Sequence, residues 1–229
     1  MQRFLDVVLS GLALLVLSPL LLPIAILLRL TGEGEVFFVQ PRVGKGGLMF
    51  GLYKFATMLK DSPNIGTGTL TVKNDPRILP MGRFLRKTKI NELPQLLNIL
   101  QGDMSIVGPR PLTERPFKAY APATQAAIAQ VRPGLSGIGS IIFRDEEELM
   151  QGQVDPVHFY DEVVAPYKGA LEEWYVANQG LRSYILCIVM TVLVVLAPRS
   201  PLVWRVFRTL PRPPAKLAAS LGIREVAKT

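Results

Sequence analysis

A chain of 229 residues is long enough to build its own core, but 49% hydrophobic residues against 19% charged is more apolar than a water-soluble domain of this size needs, which points to a membrane segment. A formal charge of +8 suits an anionic partner such as a nucleotide-sugar or an anionic lipid; it does not suit nucleic acid here, since the cations are not interleaved with aromatic residues and no zinc spacing occurs. The single Cys187 rules out an internal disulfide and reads as a packed small hydrophobe, and the single His158 offers no metal cluster.

Between Asp6 and Arg29 lies an uncharged run of 22 residues, VVLSGLALLVLSPLLLPIAILL. As one helix it reaches across the roughly 30 Å hydrocarbon core of a bilayer. Ser18-Pro19 falls near its middle and Pro23 one turn later; a proline removes a backbone hydrogen bond and bends a helix. Two readings follow, a transmembrane span or a re-entrant segment that enters and leaves through one leaflet. Arg3 on one flank and Arg29, Arg42 and Lys45 on the other do not force the two ends apart. Asp6 in the first residues argues against a cleaved signal peptide.

Val36 to Met58 reads as a β-hairpin of β-branched and aromatic stretches joined through Gly44-Lys45-Gly46-Gly47. Asp61 to Asn64, with Gly66 and Gly68, has the composition of a loop over a cleft.

Residues 74–112, NDPRILPMGRFLRKTKINELPQLLNILQGDMSIVGPRPL, carry the densest chemistry. Arg77, Arg83, Arg86, Lys87 and Lys89 precede an apolar segment, Ile90 to Leu100, in which Leu93, Leu96, Leu97 and Leu100 recur at helical spacing. Pro94 fits a first turn, Asn91 is the expected N-cap, and Gly102 follows the end. Such a helix start, with cations just upstream, is a place for phosphate, and it sets Glu92 beside an anion site. In Val107-Gly108-Pro109-Arg110-Pro111 the prolines fix φ on both sides of Arg110, so its guanidinium is presented from a stiff loop suited to a bidentate phosphate contact.

An Ala-rich helix is expected between Glu114 and Val131. Arg132-Pro133-Gly134 then repeats the logic of Arg110, a cation held on a rigid turn. The acids Asp145 to Glu148 read as a solvated helix start, with a metal or sugar-hydroxyl role for Asp145 or Glu146 as the alternative. Phe159 to Gln179, with Tyr160, Tyr167, Trp174 and Tyr175, reads as a helix near a membrane interface. Tyr184 to Ala197 is too short to span and reads as a core or interfacial helix. After Pro198, Arg199, Trp204, Arg205, Arg208 and Arg212 suggest contact with anionic headgroups.

DPR, GRFLRK, ELPQL and above all GDMSIVGPRP resemble the bacterial sugar transferases that act as monotopic polyprenyl-phosphate phosphoglycosyl transferases, and the resemblance runs from the apolar N-terminus to about Leu196. It implies an α+β protein: a re-entrant helix-break-helix over 1–32, a catalytic domain over 33–198 in which a small hairpin and several amphipathic or interfacial helices form one compact membrane-associated body, and a basic Pro-rich tail over 199–229. It implies transfer of phospho-sugar from a UDP-sugar to polyprenyl phosphate at the cytoplasmic face of the bacterial inner membrane, with release of UMP and assistance from Mg2+. Membrane lipid is a further expected partner, and a homo-oligomer is left open. Lys54 falls on the family's YKF motif, and Arg132 on its RPG motif, which assigns it to the nucleotide diphosphate. Lys54, Arg83, Arg86, Arg110 and Arg132 are thus the expected phosphate-binding set, gathered in one basic pocket about Glu92.

The family's Asp-Glu catalytic pair is Asn91-Glu92 here. A carboxamide is a poor nucleophile and a poor magnesium ligand, so the covalent role of the Asp does not transfer to Asn91. Glu92 is then either the nucleophile, with Asn91 orienting it or a phosphate oxygen, or a general base or metal ligand for direct attack by the lipid phosphate. The pair Asn91 and Glu92 is also the expected metal site. Ala56-Thr57 and Ile138-Gly139-Ser140 depart from the family pattern as well. A non-catalytic scaffold that binds lipid and nucleotide is the alternative.

Overall fold

A computed structural model describes residues 1–65, 75–144, 146–150, 153–197, 202–218 and 220–221. Gly66, Gly68, Asn74, Asp145 and Arg199 lie outside the described residues. The chain forms two compact units, Leu5–Pro41 with Gly51–Gly102, and Met1–Phe4 with Arg42–Phe50 and Asp103–Thr229. They are called the N-terminal and C-terminal units below.

The apolar run lies in a 29-residue helix, α1 (Gln2–Leu30), about 43 Å long at 1.5 Å per residue. It is the one helix among the described residues long and apolar enough to cross a membrane. A core helix of a soluble protein would be covered by its neighbours, whereas Leu15 and Val16 are 70% and 72% exposed. The helix continues through Ser18-Pro19 instead of separating into two elements there. Pro19 has no N–H for the Leu15 carbonyl, and the Ser18 hydroxyl donates to it instead at 2.8 Å. Near its C-terminal end α1 meets a core, where Ile24 and Leu28 pack with Phe55 and Leu85, and near its start Asp6 and Ser10 are buried as well.

The expected hairpin is present as β1 (Phe37–Val43) and β2 (Met49–Phe55), which form a two-stranded sheet. Its turn is the predicted glycine cluster, and Gly46 and Gly47 take φ of 72° and 73°, a region that side-chain-bearing residues avoid. In the N-terminal unit β2 leads to α2 (Pro80–Lys87), seated on the backbone of Thr57. Leu79 N–H donates to the Thr57 carbonyl at 3.0 Å, and a Cβ on Gly82 would lie 2.1 Å from that same oxygen. α3 (Gln95–Gln101) is tied to β2 by one fully buried amide: Asn98 accepts from Tyr53 N–H at 2.9 Å and donates to the Gly51 carbonyl at 2.7 Å. Gly102 ends α3 at φ 99°, as expected of a left-handed C-terminal glycine.

Arg77 is not part of a phosphate-binding set. It is 4% exposed, its Nη2 and Nε donate to the Asp75 carboxylate at 2.6 and 2.8 Å, and Nη1 donates to the carbonyls of Ser62 and Ile65, each at 2.7 Å. Its guanidinium is consumed in closing a loop. Asp75→Asn leaves that cation buried beside a neutral partner, and is expected to lower the melting temperature in detergent by about 5–10 °C, read by differential scanning fluorimetry.

In the C-terminal unit two three-residue strands, β3 (Ser105–Val107) and β4 (Gly134–Ser136), pair in parallel with Ser105 opposite Gly134 and Val107 opposite Ser136. Between them lie α4 (Glu114–Lys118) and α5 (Pro122–Ile128), the second of which is the expected Ala-rich helix. After β4 come α6 (Ile138–Ile142), α7 (Glu146–Met150) and α8 (Pro156–Phe159). A π turn over Tyr160–Val164 then leads into α9 (Ala165–Ala177). α10 (Leu181–Leu196) buries Tyr184, Cys187, Met190 and Val194 and exposes Ile185, Val189, Val192 and Leu196. Burial pushes the Cys187 thiol up to about 12, which suits an inert core residue.

The tail packs onto α9. α11 (Leu202–Val206) and α12 (Ala215–Ala218) bury Val203 and Leu217, and Phe207 and Leu210 between them are buried too. Phe207 meets Trp174 edge to face at 5.5 Å, and Tyr167 donates its hydroxyl to the Pro211 carbonyl at 2.9 Å. Arg205, Arg208 and Arg212 remain exposed.

Candidate active site

The residues singled out from the sequence fall into two groups, one in each unit. In the N-terminal unit Lys54 is half-buried on β2, Arg83 is exposed and Arg86 half-buried on α2, and Asn91 and Glu92 sit in a 3-10 turn over Ile90–Glu92 that packs against α2. Asn91 is not the N-cap of α3, whose cap position is Pro94. Pro94 has no N–H to give the Ile90 carbonyl, so that carbonyl accepts from Leu93 N–H at 3.1 Å instead, which tightens the segment into a 3-10 turn and delays α3 to Gln95. Lys89 enters the turn at φ 60°, the one non-glycine residue of positive φ among those described.

The consequence is a different environment for the pair. Asn91 is 6% exposed, and its Oδ1 finds no hydrogen-bond partner among the described residues. A buried amide oxygen left so is costly unless something else fills it. Glu92 is half-buried next to it.

The second group, in the C-terminal unit, is Arg110 after β3 and Arg132 before β4. The strands bring their two loops together by backbone bonds: Ser105 N–H to the Pro133 carbonyl at 2.9 Å, Gly134 N–H to the Pro109 carbonyl at 2.8 Å, and Gly108 N–H to the Ser136 carbonyl at 2.9 Å. Three glycines permit this approach. A Cβ on Gly108 would lie 2.4 Å from the Arg132 carbonyl, one on Gly134 2.1 Å from Gly108 N, and one on Gly137 2.1 Å from the Gly108 carbonyl. The glycines of the VGPRP and RPGLSG motifs therefore have one physical job, to let two arginine-bearing loops run against each other. Arg110 itself is exposed and Arg132 half-buried.

The sequence profile of the bacterial sugar transferase family matches residues 1–198. The chain belongs to that family. Exopolysaccharide production protein ExoY of Rhizobium meliloti is 36% identical over 159 residues, 63% of this chain and 70% of that relative. The undecaprenyl-phosphate glucose phosphotransferase of Komagataeibacter xylinus is 37% identical over 153 residues, 61% of this chain and 27% of the relative's length. The undecaprenyl-phosphate galactose phosphotransferase of Salmonella typhimurium is 32% identical over 211 residues, 86% of this chain and 40% of the relative. The chain thus spans less than half the length of the last two.

Two residues that the sequence pattern does not single out are Lys168 and Glu172, both buried on α9. The signal was there: Val164, Lys168, Leu171, Glu172 and Tyr175 share one helical face that is otherwise apolar. Lys168 pairs with Glu146 at 2.7 Å, so that acid is not part of a solvated helix start. Glu172 Oε1 accepts from the Arg110 N–H at 3.3 Å.

Burial pushes the Glu172 carboxyl up to about 7, against the opposing pull of the Arg110 N–H and of Lys168. It also draws the Lys168 ammonium below its usual range, against the pull of Glu146. The folded chain keeps the Glu172 proton to about pH 7, whereas an unfolded chain gives it up near 4.5. Stability from this group is therefore complete below the lower value and is lost as pH rises through the upper one, by about 3 kcal/mol in all. Glu172→Gln removes that loss, so the melting temperature of the variant should gain on that of the wild type between pH 5 and about 7 and stay level above it.

Proposed function

We propose that this protein transfers a phospho-sugar from a UDP-sugar to polyprenyl phosphate, giving polyprenyl-diphosphate sugar and UMP, the step that initiates assembly of a bacterial glycan. What supports this is family membership together with one local observation: a half-buried carboxylate, Glu92, beside the unfilled Oδ1 of Asn91, on a turn that packs against the helix bearing Arg83 and Arg86.

In this reading Glu92 is the nucleophile. Its carboxylate oxygen forms a bond to the β-phosphorus of the UDP-sugar as the bond from that phosphorus to the bridging oxygen breaks, and UMP departs with the electron pair. A phosphate oxygen of the lipid then attacks the same phosphorus, and the Glu92 carboxylate is released. Lys54, Arg83 and Arg86 in the N-terminal unit, and Arg110 and Arg132 in the C-terminal unit, are the cations offered to phosphate in this reading. The Asn91 amide orients Glu92 or a phosphate oxygen.

An Mg2+ ion bound here would be held chiefly by the Glu92 carboxylate, with Asn91 Oδ1 the weaker of the two oxygen donors and phosphate and water completing its ligands. When bound, that ion would lower the charge on the diphosphate. Residues 1–32 are read as a re-entrant anchor on the cytoplasmic face, since prolines favour a bend in a helix and cations flank both ends of the apolar run.

Incubating the purified protein with a panel of UDP-sugars, Mg2+ and undecaprenyl phosphate tests the reaction by release of UMP. A lipid-binding scaffold releases none with any sugar. Radiolabelled UDP-sugar without acceptor tests the nucleophile: label retained on Glu92 supports it, while turnover with no retained label assigns Glu92 to general base or metal ligand.

A further inference from the structure

Arg110 is fixed by an unusually small number of backbone handles. Pro109 and Pro111 have no N–H, so between them the only backbone donor is that of Arg110. The Pro109 carbonyl is taken by Gly134 N–H at 2.8 Å and the Pro111 carbonyl by Arg42 Nη1 at 3.0 Å. The Arg110 N–H goes to Glu172 Oε1 at 3.3 Å.

That oxygen occupies its place because residue 139 has no side chain. Gly139 is buried on α6, and a Cβ built there would lie 2.3 Å from Glu172 Oε1 and 3.0 Å from its Cδ. α9 cannot retreat to make room, since Leu171 is fully buried and Tyr175 donates its hydroxyl to the Val107 carbonyl of β3 at 3.1 Å. Nor is the carboxyl anchored elsewhere by its other oxygen: Oε2 is buried without a hydrogen-bond partner among the described residues. Oε1 therefore meets both neighbours, the Arg110 N–H that it accepts and the bare Cα of Gly139 that lets it reach.

We propose that Gly139 and Glu172 are a matched positioning pair, in which the missing side chain at 139 admits a carboxyl long enough to hold the Arg110 backbone, and so aims its guanidinium at the diphosphate of the nucleotide-sugar. The inference rests on the reading above that Arg110 binds phosphate. A Cβ at 139 drives Oε1 away from the Arg110 N–H. Shortening Glu172 by one methylene withdraws the acceptor by about the same amount and also empties the space that the Cβ would take.

The test uses full-length protein in detergent, with KM for the UDP-sugar measured by UMP release and affinity for UDP measured by calorimetry. Gly139→Ala and Glu172→Asp should each raise KM and the Kd for UDP about 10-fold, with kcat changed less than about 3-fold. In the Glu172→Asp background, Gly139→Ala should add less than about 2-fold, because the clash is gone. Glu172→Gln keeps an acceptor oxygen and should hold KM within about 3-fold of wild type. In an Arg110→Ala background neither substitution should weaken UDP further.

Wild-type affinity for UDP in Gly139→Ala, equal penalties of that substitution in the wild-type and Glu172→Asp backgrounds, or an undiminished penalty without the Arg110 guanidinium would each overturn the pair. Should Gly139→Ala not fold, Glu172→Asp with and without Arg110→Ala decides the matter alone. If Arg110→Ala itself binds UDP as wild type does, the phosphate role of Arg110 has failed, which is a different result.

Discussion

Glu92→Gln should abolish UMP release, by about 1,000-fold or more, while the protein melts within about 2 °C of wild type. The side chains are nearly isosteric, and Glu92 is half-buried in a turn whose backbone bonds, from Glu92 N–H to Lys89 and from Leu93 N–H to Ile90, do not involve the carboxylate. What changes is the chemistry. An amide neither attacks phosphorus nor takes a proton from the lipid phosphate, so both readings of Glu92 predict the loss. Full activity in Glu92→Gln, measured as initial rate against wild type, would leave the acid without a role. A loss of activity accompanied by a melting temperature many degrees lower would instead make Glu92 a structural residue.

The second large effect is expected far from any acid. Gly134→Ala should cost more than about 10 °C in melting temperature and over 100-fold in activity, because its Cβ would fall 2.1 Å from Gly108 N, 2.3 Å from the Ser136 carbonyl and 2.6 Å from the Gly108 carbonyl. All three are backbone atoms, so no side chain can swing aside. The strands must separate, and the loops bearing Arg110 and Arg132 separate with them. Gly180→Ala is the control: nothing lies within 4 Å of its Cβ, and both quantities should stay at wild-type values. The comparison is read by scanning fluorimetry and UMP release on the same preparations.

How much of this was legible beforehand depends on the length scale of the signal. The glycine turn at Gly44 to Gly47, the apolar helix and the Gly102 stop could be read because each is written in neighbouring residues. Proline is legible as punctuation but not in its consequence: Pro94 suits the opening turn of a helix beginning near Asn91, yet its missing N–H gives the Ile90 carbonyl another partner and moves the start of α3 to Gln95. β3 and β4 escaped notice since three residues carry no periodicity. Their existence rests on which distant glycines face each other, and no local pattern records that.

Charge was the least transparent. Arg77 looked like its neighbours Arg83 and Arg86, yet Asp75, only two residues away, claims it along with two carbonyls. Glu146, in a run of acids with the pattern of a solvated helix start, is bound to Lys168. Lys168 and Glu172 could have been found by asking why an otherwise greasy helical face contains both signs. The motif arginines fared better, because a proline on each side of Arg110 restricts the chain whatever surrounds it.

The docking of the tail on α9 carries a practical consequence for anyone expressing this gene. The family resemblance ends at residue 198, but the folded body does not, since Phe207, Leu210 and Leu217 are buried and Pro211 receives the Tyr167 hydroxyl. A stop codon placed at the family boundary would strip Trp174 and Tyr167 of their cover and leave a sticky aromatic flank, inviting aggregation that could be mistaken for poor membrane insertion. The shortest version worth purifying runs past Leu217.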